Sequence, residues 1–340
     1  MILYIGNILS SKGMNPPPIE LIRDEICKSS NIKMIIASDK KNRIFRFLHM
    51  NYVYWGDYNR ASLMFIDVYS TKAFYFAFYF AFISKFFSLK YIPIIHGGNI
   101  DIRIKKSKWM TKFVFKNAET NISPSKYVYN IFKNNTFEVK YIPNCINFSN
   151  YKFKKRQKIR PRIIWLRSFH EIYNPKMAIN VLKIIRIFYD DAKLTMIGPD
   201  KDGSLNRCKE LSKKYNLVQN IKFLGYLNKI EWIKIAKDHD IFINTAKIDN
   251  MPVSVIEMMA LGLPIVSTDV GGIPFILKHG KNSLLVKNND AQNMASQIKY
   301  LITKPSFAFE ISMRAFEDSK SFSTDLVLPE WSKIINQYSL

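Results

Sequence analysis

The sequence predicts an α/β protein built from two doubly wound parallel-sheet domains, on the basis of its alternating pattern and its length. Short apolar, β-like runs alternate with helical stretches along the chain, as in parallel sheets covered by helices. The 340 residues are long for a single hydrophobic core, so two domains are expected. The alternation breaks once, in a basic stretch at 148–160, and then restarts. We therefore expect two Rossmann-like domains facing across a cleft, lined by the carboxyl ends of both sheets.

The first predicted domain covers residues 1–147. Its short apolar runs are interpreted as strands, and the longer stretches between them as helices. The predicted strands lie at 2–5, 32–37, 63–68, 91–95, 120–122 and 139–142. The predicted helices lie near 18–29, 70–88, 106–116 and 124–133.

The second predicted domain covers residues 161–320, and the basic stretch at 148–160 before it is predicted to be a linker. A C-terminal helix at 321–340 is expected to pack back on the first domain. The predicted strands of the second domain lie at 162–166, 193–197, 221–224, 241–244, 264–267 and 284–286. Its predicted helices lie near 174–189, 204–217, 228–237, 252–262 and 290–303.

The chain carries a formal net charge of +24, from 51 Lys and Arg against 27 Asp and Glu. Such an excess favours an anionic lipid surface, nucleic acid or a phosphorylated ligand. We expect an anionic membrane surface as the partner and no nucleic acid. Alternatively, a general bias of the composition toward Lys explains the charge without any anionic partner. The densest run has no acid and consists of Lys152, Lys154, Lys155, Arg156, Lys158, Arg160 and Arg162.

A second unusual segment is aromatic. Residues 73–82 read AFYFAFYFAF, and the apolar pattern continues to Phe87 with only Ser84 and Lys85 intervening. This run is shorter than the roughly 20 residues that a membrane-spanning helix needs. It is therefore predicted to be a buried core helix. The alternative is a helix partly exposed at the bilayer surface, with its rings at the interface.

The cysteines and the first residues bear on the compartment. Cys27, Cys145 and Cys208 are far apart, with no pair at metal-binding or redox spacing, which fits reduced thiols. Met1 to Ile5 leads directly into a predicted strand without a basic region or cleavage site, so no signal peptide is expected. We expect a cytoplasmic protein, peripheral at the inner face of the plasma membrane.

The most informative segment is 249–274, which reads DNMPVSVIEMMALGLPIVSTDVGGIP. Asn250 can cap a helix whose first turn holds Pro252. Gly262 stands where that helix must end before the next strand. Apolar side chains surround the helix between these points, so it is expected to be largely buried.

Glu257 is out of place in this apolar helix. Burying an unpaired carboxylate is costly, so Glu257 must reach a cleft or a polar partner. The strand at 264–267 and the pair Gly271 and Gly272 follow. Two adjacent glycines predict a turn at which backbone closely approaches a neighbour or a ligand.

Six segments, in order along the chain, carry a resemblance to a known family. They are YIPNCINF (141–148), WLRSFHEIYNPKMA (165–178), LTMIGPD (194–200), IKFLGYL (221–227), DIFINTA (240–246) and the segment 249–274. With these segments the chain resembles a retaining glycosyltransferase of the two-Rossmann GT-B type, family 4. The resemblance is tight over about 140–290, and the first domain matches mainly in layout. It implies a nucleotide-sugar donor bound by the second domain, 161–320, and an acceptor bound by the first domain, 1–147.

A retaining transferase must hold a nucleotide diphosphate while the sugar–oxygen bond breaks. This step needs positive charge or helix N-termini beside the diphosphate. Arg167 ends a predicted strand, where its guanidinium can bind phosphate oxygens bidentately. The resemblance implies this role for Arg167 and, more loosely, for Lys176. Alternatively, Arg167 forms a structural ion pair, and Lys176 faces solvent in the first turn of its helix.

The resemblance also implies roles within 249–274. Glu257 matches the second acid of the family's paired-glutamate motif, which accepts hydrogen bonds from the ribose; an ordinary buried Glu is the alternative. Asp249 matches the first acid, where the family usually has Glu, so its reach toward the transferred sugar is one methylene shorter. Pro252, Val253 and Ser254 open the helix. The free amides of Val253 and Ser254 are expected to bind diphosphate, with simple helix capping as the alternative.

Two further regions are weaker candidates. His96 follows the strand at 91–95, and in related enzymes a His here sits near the reacting sugar and acceptor; a loop His that fixes the turn is the alternative. Gly6, Asn7 and Gly13 in the first loop would let backbone approach the donor or acceptor, although a loop without function explains them almost as well.

The triplets Asp200–Asp202 and Asp238–Asp240 are interpreted as solvated loop acids, because one lies in a predicted turn and the other at a helix-to-strand junction. No metal and no other cofactor is therefore expected.

The sequence thus predicts a metal-independent retaining glycosyltransferase that moves a sugar onto a lipid-linked or glycan acceptor in bacterial surface polysaccharide synthesis. A sugar-nucleotide epimerase on the same architecture and a non-catalytic nucleic-acid-binding protein are the alternatives. A nicotinamide oxidoreductase is disfavoured, because no Gly-x-Gly-x-x-Gly follows the first strand.

Overall fold

The structure, a computed structural model, describes residues 1–6, 20, 23, 32–40 and 42–338. The chain divides into two compact units, Met1–Cys145 with Thr324–Leu340 and Ile146–Ser323. The second unit is therefore one continuous segment, whereas the first is assembled from two. Some predictions fall outside the described residues, namely most of the helix near 18–29, Asn7, Gly13 and Cys27.

The first unit is built on a six-stranded sheet with the order β2-β1-β3-β4-β5-β6, in which neighbouring strands run parallel. The register places Tyr4 opposite Phe65. Its strands are mostly apolar, as expected when helices cover both faces of a parallel sheet. They are β1 (Ile2–Ile5), β2 (Met34–Ala37), β3 (Leu63–Val68), β4 (Tyr91–Ile95), β5 (Ile122–Ser123) and β6 (Lys140–Tyr141).

Helices cover the first sheet on both faces. One core cluster joins β1 and β3 to five of these helices, and a second joins the opposite face, including Phe65, to Trp331. The rings of Phe65 and Trp331 meet edge to face at 5.6 Å. The helices are α1 (Arg43–Asp57), α2 (Phe74–Phe86), α3 (Ile100–Lys106), α4 (Lys108–Lys116) and α5 (Lys126–Asn134) on the first face and α13 (Thr324–Tyr338) on the second.

The second unit holds another six-stranded sheet, with the order β12-β11-β10-β7-β8-β9 and parallel pairing throughout. The order reverses beside β7, and in such sheets ligands bind at the carboxyl ends next to the reversal. The strands are β7 (Arg162–Leu166), β8 (Lys193–Ile197), β9 (Ile221–Phe223), β10 (Ile241–Asn244), β11 (Ile265–Thr268) and β12 (Leu284–Val286).

Two core clusters also cover the second sheet, one on each face. The fold-class prediction is therefore confirmed: each unit is a parallel sheet flanked by helices. The helices of this unit are α6 (Pro175–Ile185), α7 (Ser204–Lys214), α8 (Lys229–Ala236), α9 (Val253–Ala260), α10 (Ile273–Ile276), α11 (Ala291–Thr303) and α12 (Pro305–Ser319).

The segment 148–160 is not a free linker, because it packs within the second unit. The Arg156 side chain is only 3% exposed and donates hydrogen bonds to the carbonyls of His239 and Gly262, at 2.8 and 2.9 Å. Arg160 pairs with Asp240 at 2.6 Å. Part of the basic run thus anchors the chain to its own unit instead of facing an external anion.

The aromatic segment forms helix α2, which is buried on one side and exposed on the other. Phe74 and Phe80 are fully buried in the core, whereas Phe82 is 48% and Phe86 76% exposed. None of the helices in the described ranges has the length and apolar character needed to cross a bilayer. Of the described helices, four were not predicted from the sequence: α1, α3, α10 and α12.

Candidate active site

Arg167 lies directly after β7, and its surroundings define the candidate site. Its amide donates to the carbonyl of Ile197 at 3.0 Å, which fixes the backbone beside β8. The guanidinium lies over the ring of Tyr173, 4.6 Å from the centroid, and forms an ion pair with Asp249. Burial lowers the pKa of Arg167. Its buried Nε has no hydrogen-bond partner among the described residues, so one donor remains for a ligand.

Glycines position the two loops that carry this pair. Gly271 has φ +54, and a Cβ there would collide with the carbonyl of Asp249; the amide of Gly272 donates to that carbonyl at 2.7 Å. Gly198, with φ +148, packs against the backbone of Arg167 in the same way. Only glycine fits such close, left-handed positions. The predicted close approach at Gly271 and Gly272 is confirmed, and the neighbour is the Asp249 loop.

Glu257 lies in the middle of α9 and is only 6% exposed. Its Oε1 accepts a hydrogen bond from the Tyr151 hydroxyl at 2.7 Å and lies 3.0 Å from Nζ of Lys229. Burial, with the adjacent carboxylate, raises the pKa of Tyr151, so its hydroxyl stays protonated and donates. The polar partners that the sequence required for Glu257 are therefore Tyr151 and Lys229.

Helix α9 starts at Val253, and Pro252 holds the N-cap position with no side-chain cap. The predicted cap by Asn250 is wrong. Because the helix begins only at Val253, Asn250 lies two residues before the N-cap position, and Pro252 at that position has no side-chain acceptor. The amides of Val253 and Ser254 have no intrahelical acceptor. The buried Oγ of Ser254 also lacks a partner within the described part of the chain.

The other end of α9 is closed by a Schellman motif. The amide of Gly262 donates to the carbonyl of Met259 at 3.0 Å, and the amide of Leu263 donates to that of Met258 at 3.1 Å. Gly262 adopts φ +71, as this motif requires. The predicted helix stop at Gly262 is confirmed.

Lys176 is exposed at the start of α6. No hydrogen bond or ion pair within the described ranges joins it to Arg167 or Glu257. Its charge acts instead on the buried thiol of Cys208, whose pKa burial raises to about 12. The cation beside Glu257 is Lys229, a residue that the sequence analysis did not single out.

The first unit has its own polar cluster, centred on Asp67 near the end of β3. Oδ1 of Asp67 accepts a hydrogen bond from the hydroxyl of Tyr4 and lies 2.8 Å from Nε2 of His96. The ring of Tyr69 stacks on His96 at 5.4 Å. Burial, with the nearby carboxylate, raises the pKa of Tyr4 well above its usual value. A Cβ on Gly6 would collide with Asp67, so this glycine gives the carboxylate its space.

The two acid triplets have structural partners. Asp200 and Asp202 accept hydrogen bonds from the amides of Gly203 and Ser204, each at 3.0 Å, at the start of α7. Asp240 is not solvated as predicted. It is 2% exposed, because it pairs with two arginines of the segment 148–160.

The most informative residues that the sequence analysis missed are Tyr151, Lys229, Asp67 and Tyr4. Asp67 had a usable signal, since it is the one acid in an otherwise apolar buried strand, the same anomaly that marked Glu257 in its helix. Tyr151 and Lys229 had no local signal, because they are distant in sequence from the carboxylate that they contact.

The arrangement in the second unit suits a ligand with both phosphate groups and hydroxyl groups. Arg167 and Lys229 supply positive charge, and the first amides of α9 supply neutral donors for phosphate oxygens. Asp249 and Glu257 supply acceptors for hydroxyl groups. Among the described residues, no three of the types His, Cys, Asp and Glu lie close enough together to hold a metal ion.

Known proteins with similar sequences include glycosyltransferases. The chain is 23% identical over 158 residues to an uncharacterised glycosyltransferase of Haemophilus influenzae, covering 46% of this chain and 44% of that protein. It is 27% identical over 123 residues to the poly(ribitol-phosphate) alpha-N-acetylglucosaminyltransferase of Staphylococcus aureus, covering 36% and 24%. The matched segments thus span less than half the length of these two relatives.

Solved structures agree over nearly the whole chain. The sucrose-phosphate synthase of Thermosynechococcus elongatus superposes with a TM-score of 0.82 at 14% identity, covering 99% of this chain and 98% of that one. HepE of Anabaena, solved with UDP and glucose, superposes with a TM-score of 0.79 at 14% identity, covering 98% and 99%. At these identities the likeness concerns the fold.

The family profile described as Glycosyl transferases group 1 matches residues 148–318, which include the whole candidate site of the second unit. This match covers half of the chain, and the chain belongs to that family of glycosyltransferases.

Proposed function

We propose that this chain is a retaining glycosyltransferase that moves a sugar from a nucleotide-sugar donor to a lipid-linked or glycan acceptor. The product would be part of a bacterial surface polysaccharide such as capsule, O-antigen or exopolysaccharide. The observation that carries the proposal is the pairing of a buried, incompletely bonded Arg167 with an acid-bearing helix whose N-terminus is open. The carboxylate of Glu257 is close enough to Arg167 to raise the pKa of its guanidinium, against the effect of burial.

The donor's diphosphate would bind Arg167 and the amides of Val253 and Ser254. The free Nε of Arg167 and the orphaned Oγ of Ser254 are buried donors that phosphate oxygens would satisfy. The ribose hydroxyls would donate to Glu257. Its second partner, Lys229, balances the charge of this buried carboxylate at 3.0 Å.

Asp249 has two proposed roles. Its ion pair with Arg167 holds the guanidinium in place, and its carboxylate would accept from the hydroxyls of the transferred sugar. Both need the loop to stay where Gly271 and Gly272 hold it. Lys176 is a weaker proposed phosphate ligand, because it is exposed and its described contacts point elsewhere.

The proposed chemistry is front-side displacement, as the family resemblance implies. The bond between the sugar's anomeric carbon and the diphosphate oxygen breaks while the acceptor oxygen bonds the same carbon from the same face. The acceptor proton passes to the leaving phosphate oxygen. Arg167 stabilises the negative charge that develops on the leaving diphosphate. His96 and Gly6, in the first unit, are proposed to lie near the acceptor.

We propose that no metal is required, because Arg167 and Lys229 are fixed charges of the kind that a divalent ion would otherwise supply. Turnover should then be unchanged by EDTA. Loss of activity on chelation, restored by Mg²⁺ or Mn²⁺, would contradict this part of the proposal.

The test begins with donor identity. A thermal-shift panel of UDP-, GDP- and ADP-sugars should give one donor that raises the melting temperature, because a ligand bound only by the native state stabilises it. That donor is then incubated with and without acceptor. Sugar conversion without acceptor would indicate an epimerase instead. With acceptor, NMR of the product should show the same anomeric configuration as the donor, and inversion would refute the retaining mechanism.

The acceptor and the location are also proposals. A lipid-linked acceptor and an anionic membrane surface fit the net charge of +24 and the aromatic helix α2, and the protein would act at the inner face of the plasma membrane. Two relatives bear on the class of product. One is the poly(ribitol-phosphate) alpha-N-acetylglucosaminyltransferase of Staphylococcus aureus named above, and the other is a putative colanic acid biosynthesis glycosyltransferase of Salmonella typhimurium, 33% identical over 98 residues.

A further inference from the structure

Helix α1 exposes an apolar stripe where a surface helix normally exposes polar residues. Ile44 is 70%, Leu48 57% and Tyr52 79% exposed, and Trp55 continues the stripe at 44%. These residues are spaced by four, four and three, so they share one face of the helix. The opposite face, with Met50 and Tyr54, is buried in the core. The apolar stripe is therefore additional to the side chains that hold α1 in place.

The stripe continues onto α2. The ring of Trp55 meets that of Phe87 at 5.2 Å, and Phe87 meets Phe86 at 5.1 Å. Phe86 is 76% exposed. Further along α2, Phe82 is 48% exposed and contacts Phe113 of α4 at 5.7 Å.

Helix α4 completes this surface with one exposed ring and a row of cations. Trp109 is 64% exposed, and its ring lies 5.5 Å from that of Phe78 of α2. Lys108, Lys112 and Lys116 of α4, with Lys105 of α3, line an open cavity of about 300 Å³, whose walls also include Asn135 and Thr136. The lining has hydroxyl and amide groups but no acid, so the cavity suits a phosphate group.

We propose that this outer face of α1, α2 and α4 docks on an anionic lipid bilayer. The exposed rings and aliphatic side chains enter the boundary between headgroups and acyl chains, and the lysine row binds lipid phosphates. This inference rests on the membrane location in the proposed function, and it names the surface of the first unit that would contact the membrane. It moves the contact away from the basic run at 148–160, whose Arg156 and Arg160 are occupied internally.

The charge pattern favours a lipid surface over a second copy of the chain. A two-fold symmetric interface brings the same patch of both copies together. Here that would oppose two lysine rows, with Asp57 and Asp101 as the only acids on α1 to α4. A bilayer with anionic headgroups supplies the missing negative charge and accepts the rings at the same time.

The tryptophans provide a direct measurement. Of the five in the chain, Trp165, Trp232 and Trp331 are at most 3% exposed, so Trp55 and Trp109 dominate any change at the surface. Adding vesicles of phosphatidylcholine with phosphatidylglycerol should shift the emission to shorter wavelength, and brominated lipids should quench it. Vesicles of phosphatidylcholine alone should have a much smaller effect. Trp55→Phe with Trp109→Phe should remove the shift while binding by co-sedimentation persists.

Matched variants separate the two parts of the surface. Leu48→Ser with Trp55→Ser should weaken vesicle binding about tenfold or more, whereas Ile187→Ser with Val218→Ser, which changes exposed apolar residues of the second unit, should not. Lys108→Gln with Lys112→Gln should weaken it by about fivefold per lysine. Lys209→Gln with Lys213→Gln, on α7 of the second unit, is the charge-matched control.

Three results would overturn the proposal: no binding to anionic vesicles at low salt, equal loss in test and control variants, or a dimer that the Leu48 and Trp55 changes dissociate. The last would assign the face to a second copy. Circular dichroism of each variant guards against misfolding, and Leu48→Gln with Trp55→Tyr provides a milder pair. Vesicle binding needs no turnover, so a failed transferase assay with intact docking would refute the proposed function alone.

Discussion

Each unit has a polar cluster built around a buried carboxylate, and the two clusters differ in the charge of their neighbours. In the second unit, Glu257 and Asp249 are paired with the fixed cations Lys229 and Arg167. In the first unit, Asp67 is held by the hydroxyl of Tyr4 and by the imidazole of His96. Neither of these partners carries a fixed charge.

This difference in neighbouring charge suggests that the same type of sheet binds a different class of ligand in each unit. Fixed cations attract phosphate groups while the carboxylates beside them accept hydrogen bonds from hydroxyl groups, so the second cluster is suited to an anionic donor. A carboxylate held by a phenol and an imidazole orients groups that donate and accept protons, which suits a neutral, hydroxyl-bearing ligand. Four substitutions or conditions would break or sharpen this contrast.

The largest effect is expected from Arg167→Ala. Because the guanidinium would be the main charge on the diphosphate, kcat/KM should fall by about 100-fold or more. Steady-state transfer with the donor found in the thermal-shift panel measures this. Arg207→Ala, on an exposed ion pair with Asp202 of the same unit, should leave kcat/KM within about twofold. Near-normal turnover in Arg167→Ala would remove the donor role from this cluster.

Glu257→Gln should be the next most damaging change. The amide oxygen can still accept from Tyr151, so the fold should survive, but the negative charge that balances Lys229 is lost. We expect most of the turnover to disappear and donor affinity to drop, as judged by kinetics and by the thermal shift with donor. Tyr151→Phe, which keeps the charge and removes only the hydroxyl, should have a smaller effect. Equal activity of Glu257→Gln and the native protein would contradict the ribose assignment.

Asp67→Asn tests whether the two clusters are independent. An amide would replace the buried carboxyl group that Tyr4 and His96 contact, so the free energy of unfolding should drop by about 1–3 kcal/mol. Donor binding by the second unit, measured by calorimetry, should stay within about twofold. A large loss of donor affinity would show that the clusters act as one. Asp57→Asn, at the end of α1, serves as a control carboxylate of the first unit.

The smallest expected effect is on the stability of the second unit at acid pH, through His239. Nδ1 of His239 faces the carbonyl of Ile235 and Nε2 faces the hydroxyl of Thr195, each at 2.8 Å, so the neutral ring donates from Nδ1 and accepts at Nε2. Burial lowers the pKa of His239.

A histidine with a lowered pKa in the folded state stabilises the fold above the unfolded pKa of about 6.5. That contribution is lost as pH falls from there through the folded value. Urea unfolding at pH 7.5 and 5.5 should therefore show a larger loss for the native protein than for His239→Gln, by less than about 1 kcal/mol. His279→Gln, at an exposed position, should behave like the native protein.

Much of the fold could be predicted because buried parallel strands are short and continuously apolar. Strands β3, β4, β7 and β8 have the predicted bounds for this reason. Helix α1 was missed because its exposed face is apolar as well, so no polar stripe revealed its period. The same feature that hid the helix from the sequence makes its surface informative in the structure.

The candidate site could be predicted only where a residue conflicts with its local pattern. Glu257 in an apolar helix and Arg167 at a strand end are such conflicts, and the structure places both beside opposite charges. The partners could not be inferred, since Tyr151 is separated from Glu257 by 106 positions and contacts it only after folding. Within the basic run, composition does not reveal that Arg156 is buried among carbonyl groups.

The return of α13 to the first sheet has a consequence for how the chain matures on the ribosome. Trp331 and Ile335 are buried against a sheet whose first strand begins at Ile2, so this sheet lacks part of its cover until residues beyond 323 have been synthesised. The second unit is continuous and can close as soon as residue 323 has emerged. Although domains generally complete in the order of synthesis, here the later unit should finish first.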